Sequence, residues 1–296
     1  MSDKLIVAGI GELLWDVFSD HKHLGGAPAN FACHVHQLGA EAYPISCVGA
    51  DALGDELRGR LRSLGVDSRF VLESKSYPTG TVDVVLHAGK PTYQIHENVA
   101  WDHMPFSDEL RRLAGTLDAV CFGSLSQRSE ESRKTIHTFL GHMPENALKI
   151  FDVNLRQTFF SKEHIEISLE LANLLKLSDE ELPVLAEFFG LSGSMEEQLQ
   201  QLIDRFGLRL IAYTRGPQGS LLMGVSERDD FPGCEGDAVD TVGAGDSFTA
   251  ALCMGLLQGW PLNEVSAFAN RVALFVCSQK GATPLLPEEL TKKVCS

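Results

Sequence analysis

Leu5-Ile6-Val7-Ala8-Gly9-Ile10-Gly11-Glu12-Leu13-Leu14 holds one charged residue in ten, and a run this apolar predicts a strand covered on both faces. A segment of helical period follows, opening at Pro28 and stopping before Gly39, which is where proline and glycine sit at helix ends. Tyr43 to Val48 is the next strand. Asp51 then caps a helix carrying Leu53, Leu57, Leu61 and Leu64 on one stripe, closed by Gly65. The same order recurs, with apolar strands at 118–123, 148–153, 174–177 and 209–214 and amphipathic stretches at 129–142, 163–173 and 195–206. The alternation predicts an α/β fold of three layers, a mostly parallel sheet between two layers of helices.

One stretch breaks the pattern. From Thr81 to Glu97 polar and apolar residues alternate, with Val82, Val84 and Leu86 on one face and a turn at Gly89-Lys90, so a hairpin with one wet face is expected. Together with segments around 16–23 and 69–72 it is expected to form a small β-sheet lid, spanning 79–101 in its longest part. Residues 1–296 are expected to form one domain carrying that lid.

Composition narrows the function. Forty acidic against 25 basic residues leave a formal charge of −15, which disfavours nucleic-acid and membrane-surface partners. No stretch approaches the ~18 consecutive apolar residues of a membrane span. Glu12 and Asp16 interrupt the opening run, and no small-residue cleavage pattern follows. Seven cysteines, at 33, 47, 121, 234, 253, 277 and 295, form no C-x-x-C pair; reduced thiols and a cytoplasmic location are expected. The acidic run from Glu227 to Asp230 is expected to be a solvated turn.

In an open parallel sheet, ligands lie beyond the carboxyl ends of the strands. Two places there are rich in glycine and polar groups. Asp16, after the first strand, leads to Gly25-Gly26-Ala27-Pro28-Ala29-Asn30, where adjacent glycines admit a close ligand and Asn30 offers both a donor and an acceptor. A polyhydroxylated ligand needs that mixture; a tight turn with Asn30 as a cap is the plain alternative. The second place is Asp240-Thr241-Val242-Gly243-Ala244-Gly245-Asp246-Ser247-Phe248. Phe248, Ala251, Leu252, Gly255 and Leu256 follow helical spacing, so small residues lead into a helix N-terminus. Open N–H groups there suit a phosphoryl group, and Asp246 beside them can accept a hydroxyl proton. The chain has neither a G-x-x-x-x-G-K-[ST] loop nor the H-R-D and D-F-G motifs of protein kinases.

Gly25 to Asn30 with Gly49-Ala-Asp51-Ala-Leu-Gly54-Asp55 resembles the N-terminal signature of the PfkB, or ribokinase-like, carbohydrate kinases, and Asp240 to Phe248 resembles their C-terminal signature. The likeness spans essentially the whole chain and is nearest to the fructokinase group. It implies Asp246 as catalytic base with Gly243, Ala244 and Gly245 as an anion hole. It also implies Asp16, Gly25, Gly26 and Asn30 as sugar ligands. Asp152-Val-Asn154-Leu-Arg156 resembles a D-x-N-x-R segment whose arginine lies near substrate or phosphate. Thr214, Gly216 and Gly219 resemble a T-x-G-x-x-G stretch along the nucleotide phosphates, and Asn270 with Gly281 and Ala282 an adenine-side wall. Ser178 stands where many relatives carry the asparagine of an N-x-x-E motif, while Glu181 is retained; the likeness implies Mg²⁺ held by Glu181 through water. Asp240 and the Val242 carbonyl are implied as ligands of a monovalent cation, K⁺.

The resemblance thus implies an ATP-dependent sugar kinase acting on a primary hydroxyl, with D-fructose as the preferred case, phosphorylated at O6 ahead of O1. 2-Keto-3-deoxygluconate kinase and ribokinase are the enzymatic rivals, although a keto acid wants a second cation near Arg156. A non-catalytic sugar or nucleotide sensor on the same fold is expected to lose Asp246 or the glycines, and both are present. A homodimer through exposed lid edges is expected.

Overall fold

The computed structural model describes residues 4–87 and 90–295. From the N-terminus the elements are β1 (Ile6–Ile10), β2 (Leu14–Val17), β3 (Lys22–Gly25), α1 (Ala27–Gln37), β4 (Glu41–Gly49), α2 (Ala52–Ser63), β5 (Val71–Ser74), β6 (Gly80–His87) and β7 (Lys90–Ile95). The second third runs through α3 (Asp108–Ala114), β8 (Ala119–Gly123), α4 (Glu130–Gly141), β9 (Leu148–Asp152), α5 (Lys162–Leu171), β10 (Leu174–Ser178), α6 (Leu182–Phe189) and α7 (Met195–Phe206). The chain ends with β11 (Leu210–Thr214), β12 (Ser220–Gly224), β13 (Arg228–Phe231), α8 (Ala244–Leu257), α9 (Leu262–Cys277) and α10 (Glu288–Cys295).

Among the described residues two sheets form. The larger has the order β13-β12-β11-β10-β9-β8-β1-β4-β5, parallel from β11 to β5 and antiparallel at β12 and β13. Its apolar strands pack on both faces. Phe31 and Val35 of α1, Phe248 and Leu252 of α8, and Phe268 of α9 cover one side. Ile136 and Phe139 of α4, Ile165 of α5, Leu185 of α6 and Leu199 and Leu202 of α7 cover the other. This is the expected three-layer body. The smaller sheet, β3-β2-β6-β7, is the expected lid.

Local chemistry sets the helix ends. The Asp51 carboxylate accepts the Gly54 N–H at the start of α2, and Ser194 with Glu197 forms a capping box on α7. Gly190 and Gly207 end α6 and α7 in the left-handed conformation.

Three expectations need correction. The opening run is not one strand: β1 stops at Ile10, the Gly11 N–H donates to the Ile45 carbonyl at 3.0 Å, and the chain turns out of the body so that Leu14 begins the lid. Residues 69–72 do not belong to the lid, because β5 pairs in parallel with β4 from Ser46↔Val71 to Gly49↔Ser74, at the edge of the large sheet. The run 227–230 is not only a turn, since Arg228–Phe231 is the edge strand β13, with Asp230 paired to Arg215. Gly89 of the expected hairpin turn lies outside the described residues; the flanking strands β6 and β7 pair as expected.

Candidate active site

The carboxyl ends of β1, β9 and β10 and the N-terminus of α8 meet beneath the lid. The Asn30 amide, in the first turn of α1, donates from Nδ2 to Asp246 Oδ2 at 2.8 Å, joining residues 216 positions apart. Gly26 precedes α1 with φ 106°, and a Cβ on it would come within 2.3 Å of the Glu12 carbonyl oxygen. Only glycine fits so close a crossing. A Cβ on Gly25 would lie 2.4 Å from Asp16 Oδ2, so Asp16 lies directly against the same loop.

At the second signature, Gly243 precedes α8 in the left-handed conformation at φ 79°, with the Ala282 backbone packed against its Cα. The Ser247 N–H bonds the Gly243 carbonyl at 2.9 Å, and helix geometry leaves the N–H groups of Gly245 and Asp246 without an intrahelical acceptor. Asp240 ties the loop together: Oδ1 accepts the Val242 N–H at 3.0 Å and Oδ2 the Gly281 N–H at 2.9 Å. His34 of α1 bonds the Ala282 carbonyl at 2.8 Å from a fully buried position.

Other expected residues divide into near and far. Arg156 is exposed and bonds its own neighbour's carbonyl, Leu155, at 3.0 Å; its guanidinium opposes the charges of Asp16, Glu12 and Asp246. Glu181 sits at the mouth of β10 with both oxygens in use, Oε1 on the Leu155 N–H at 2.9 Å and Oε2 on the Ser178 N–H at 2.8 Å. Thr214 closes β11, and Gly216 and Gly219 bracket a single helical turn before β12. Asn270, on α9, donates to Ser220 Oγ at 2.8 Å and to the Ser266 carbonyl at 2.9 Å.

Two ionisable residues to which the sequence reading gave no role belong to this cluster. Glu12 is 2 % exposed; Oε1 accepts the Ala27 N–H at 3.2 Å, while Oε2 is buried with no partner among the described residues. Lys176, in the apolar strand β10, is buried and donates to Asp152 Oδ1 at 3.0 Å, and the Thr249 hydroxyl of α8 is shared between Asp152 Oδ2 at 3.1 Å and the Gly245 carbonyl at 2.9 Å. In each case the signal was an ionisable residue inside an apolar run.

Burial dominates the electrostatics. It pushes the Asp246 carboxyl up to about 6, with Asp152 adding to the rise and the Asn30 amide, Lys176 and Arg156 opposing it. Asp16 is raised to about 6 by burial, against the pull of Arg156, and Glu12 to about 7. Burial alone would lower the Lys176 ammonium, but Asp152 and Glu181 hold it above the ordinary lysine range.

At the base of the lid, Arg128 makes two bonds to Asp102, at 2.8 and 2.9 Å, and a third to the His96 carbonyl, and its guanidinium lies 4.1 Å from the Trp101 ring centre. Trp101 is buried at 1 % exposure.

Comparison with known proteins places the chain in a family and a fold. Residues 3–289 match the model of the pfkB family carbohydrate kinases. An uncharacterized sugar kinase of Pyrococcus horikoshii is 33% identical over 309 aligned residues, covering 97% of this chain and 96% of its own. Its crystal structure superposes with a TM-score of 0.83 over 98% of this chain and 100% of that one, at 32% identity. Fructokinase-1 of Oryza sativa subsp. japonica is 30% identical over 284 residues, 90% of this chain and 86% of its own. Aminoimidazole riboside kinase of Salmonella enterica, solved with aminoimidazole riboside and an ATP analog, superposes at a TM-score of 0.80 with 25% identity, covering 99% and 100% of the two chains. With both signature loops joined at one cleft and the family pattern running through residues 3–289, the chain belongs to the pfkB family of carbohydrate kinases.

Proposed function

We propose that this enzyme transfers the γ-phosphoryl group of ATP to the O6 hydroxyl of D-fructose, with Asp246 as the base. The Asn30–Asp246 hydrogen bond of 2.8 Å carries the reading, because it sets a sugar-type loop and a phosphate-type helix end in one site. Asn30 Oδ1 is buried without a partner among the described residues, and a sugar hydroxyl is the donor it needs. Asp16, Gly25, Gly26 and Arg156 complete the sugar side.

Asp246 orients the attacking hydroxyl and takes its proton as the O6–P bond forms and the P–O bond to ADP breaks. The N–H groups of Gly243 and Gly245 stand at the positive end of α8, where charge on the transferring group is best held, whereas the Ala244 N–H of the expected anion hole must first leave the Thr241 carbonyl, which it bonds at 3.3 Å. Thr214, Gly216 and Gly219 line the phosphate chain, and Asn270, Gly281 and Ala282 the base side. An ATP complex of the Pyrococcus relative, 30% identical, supports the choice of nucleotide.

Each Glu181 oxygen accepts one backbone N–H and keeps a lone pair for a water, and because Mg²⁺ dehydrates reluctantly Glu181 fits that ion through its water shell. Mg²⁺ there would neutralise phosphate charge. Each Asp240 oxygen takes one N–H and keeps a lone pair free, so Asp240 with the Val242 carbonyl fits K⁺.

Fructose is preferred to an acidic sugar because Nε and Nη2 of Arg128 are held by Asp102 and the His96 carbonyl, which leaves Nη1 alone, buried without a partner among the described residues, for an acid group. Similarity to Fructokinase-1 of rice points the same way. A homodimer through the lid, in the cytoplasm, completes the reading.

Two measurements test it. A coupled assay over fructose, ribose, 2-keto-3-deoxygluconate, tagatose and adenosine should give fructose the highest kcat/KM; a higher value for any other removes the fructose assignment. Asp246→Asn should fold and bind sugar yet lose about a thousandfold or more in turnover. Wild-type-like turnover in that variant refutes the base.

A further inference from the structure

Asp246 can accept a proton only while its carboxylate is ionised. Asp246 shares the end of the sheet with Asp152, whose negative charge works against the ionised form that a base must have. From α1 it faces Asn30, from β9 Asp152 and, just beyond that strand, Arg156, from β10 Lys176, from β8 the neutral thiol of Cys121, from the turn out of β1 Glu12, and from lid strand β2 Asp16. Carboxyls outnumber cations in this set. Glu12, Asp16, Asp152 and Asp246 stand against Arg156, which is exposed, and Lys176, which is not.

Lys176 is placed where it matters most. Its ammonium bonds Asp152 at 3.0 Å and lies 3.1 Å from the position a Cβ would take on Gly245, so it reaches the first turn of α8. Thr249, three residues after Asp246 on that helix, shares its one hydroxyl hydrogen between the other Asp152 oxygen at 3.1 Å and the Gly245 carbonyl at 2.9 Å. The carboxylate of Asp152 is thus tied on one side to β10 and on the other to the helix that carries Asp246.

We propose that Lys176, by pairing with the buried Asp152 beside the first turn of α8, cancels the like charge next to Asp246, which makes Lys176 a positioning residue for phosphoryl transfer. A buried lysine costs desolvation that an apolar side chain in β10 would avoid. Its function is to cancel a like charge next to the base, in a setting where two close carboxylates do not both ionise. The inference rests on the base assignment above.

The test compares Lys176→Met, Lys176→Arg and the double variant Lys176→Met/Asp152→Asn with wild type in kcat, in KM for sugar and ATP, and in the pH dependence of kcat/KM. Loss of the lysine leaves Asp152 unpaired, which makes Asp246 harder to ionise. The acid limb of Lys176→Met should therefore move to higher pH and kcat near neutrality fall about tenfold or more, with both KM values within about threefold. Lys176→Arg should keep the limb in place. The double variant should return the limb toward wild type and recover most of kcat, because the opposing charge has gone with its partner; it also stands in if the single Met variant does not fold.

A limb unmoved in Lys176→Met, or a loss of kcat that the double variant does not recover, overturns the inference. The base reading fails separately, if Asp246→Asn keeps its turnover. An inactive Asp246→Asn beside an unmoved limb in Lys176→Met sinks the lysine's role alone.

Discussion

Glu12 shows how much a single buried side chain can impose. It sits at the corner where the chain leaves β1 for the lid, holding the Ala27 N–H under the Gly25–Gly26 loop. Its carboxyl is raised from 4.5 to about 7 by burial, with the Asp246 charge adding and the Ala27 bond opposing. Between those two values the folded protein holds a proton that the unfolded chain has released, so stability falls as pH rises through that window. The loss is on the order of 3 kcal/mol. Glu12→Gln keeps a carbonyl for the Ala27 N–H and has no proton to lose. Thermal unfolding followed from about pH 5 to about pH 8 should show the wild-type Tm dropping roughly 5 °C further than that of the variant. Parallel curves would show that Glu12 contributes nothing to the pH dependence.

Among elements, the N-terminus of α8 is the most constrained. Gly243 adopts φ 79°, and any Cβ there would sit 2.6 Å from the Ala282 carbonyl oxygen and 2.7 Å from its Cα, both backbone atoms. Gly243→Ala must therefore push the 281–282 loop away from the helix. It should cost about 1–3 kcal/mol in urea unfolding and raise KM for ATP more than KM for sugar; an unchanged KM for ATP would separate this loop from the nucleotide. Helix ends of this kind were legible in the sequence, because glycine, aspartate and apolar spacing act locally. The strands were legible as apolar runs, but their partners were not. Val71–Ser74 carries no mark that distinguishes the edge of the body from the lid, and its place was decided by pairing with β4. The break at Gly11 likewise depends on the distant Ile45 carbonyl. At the site, the loop residues were readable from their motifs, whereas Glu12 and Lys176 acquire meaning only from neighbours that the fold supplies.

For the whole molecule, the lid decides what is left to pair. Its sheet has two edges. Along β3, Lys22 pairs with Glu56 of α2, and His23 lies against Gly281, so the body covers that side. Among the described residues β7 has β6 on one flank and no strand on the other; the Gln157 side chain donates to the Tyr93 carbonyl at 2.7 Å, and Tyr93 is 44% exposed. An open strand edge with an exposed aromatic favours a second copy. Charge opposes it, since each chain brings −15, and repulsion of that range is screened within about 10 Å at ~0.1 M salt. Light scattering on a sizing column should therefore show twice the 32.3 kDa chain mass, with the dimer tightening as salt rises. Tyr93→Glu adds charge to each edge and should shift the population toward monomer. A wild-type monomer at every salt concentration would mean that the β7 edge is left unpaired, and with it the proposed dimer would be lost.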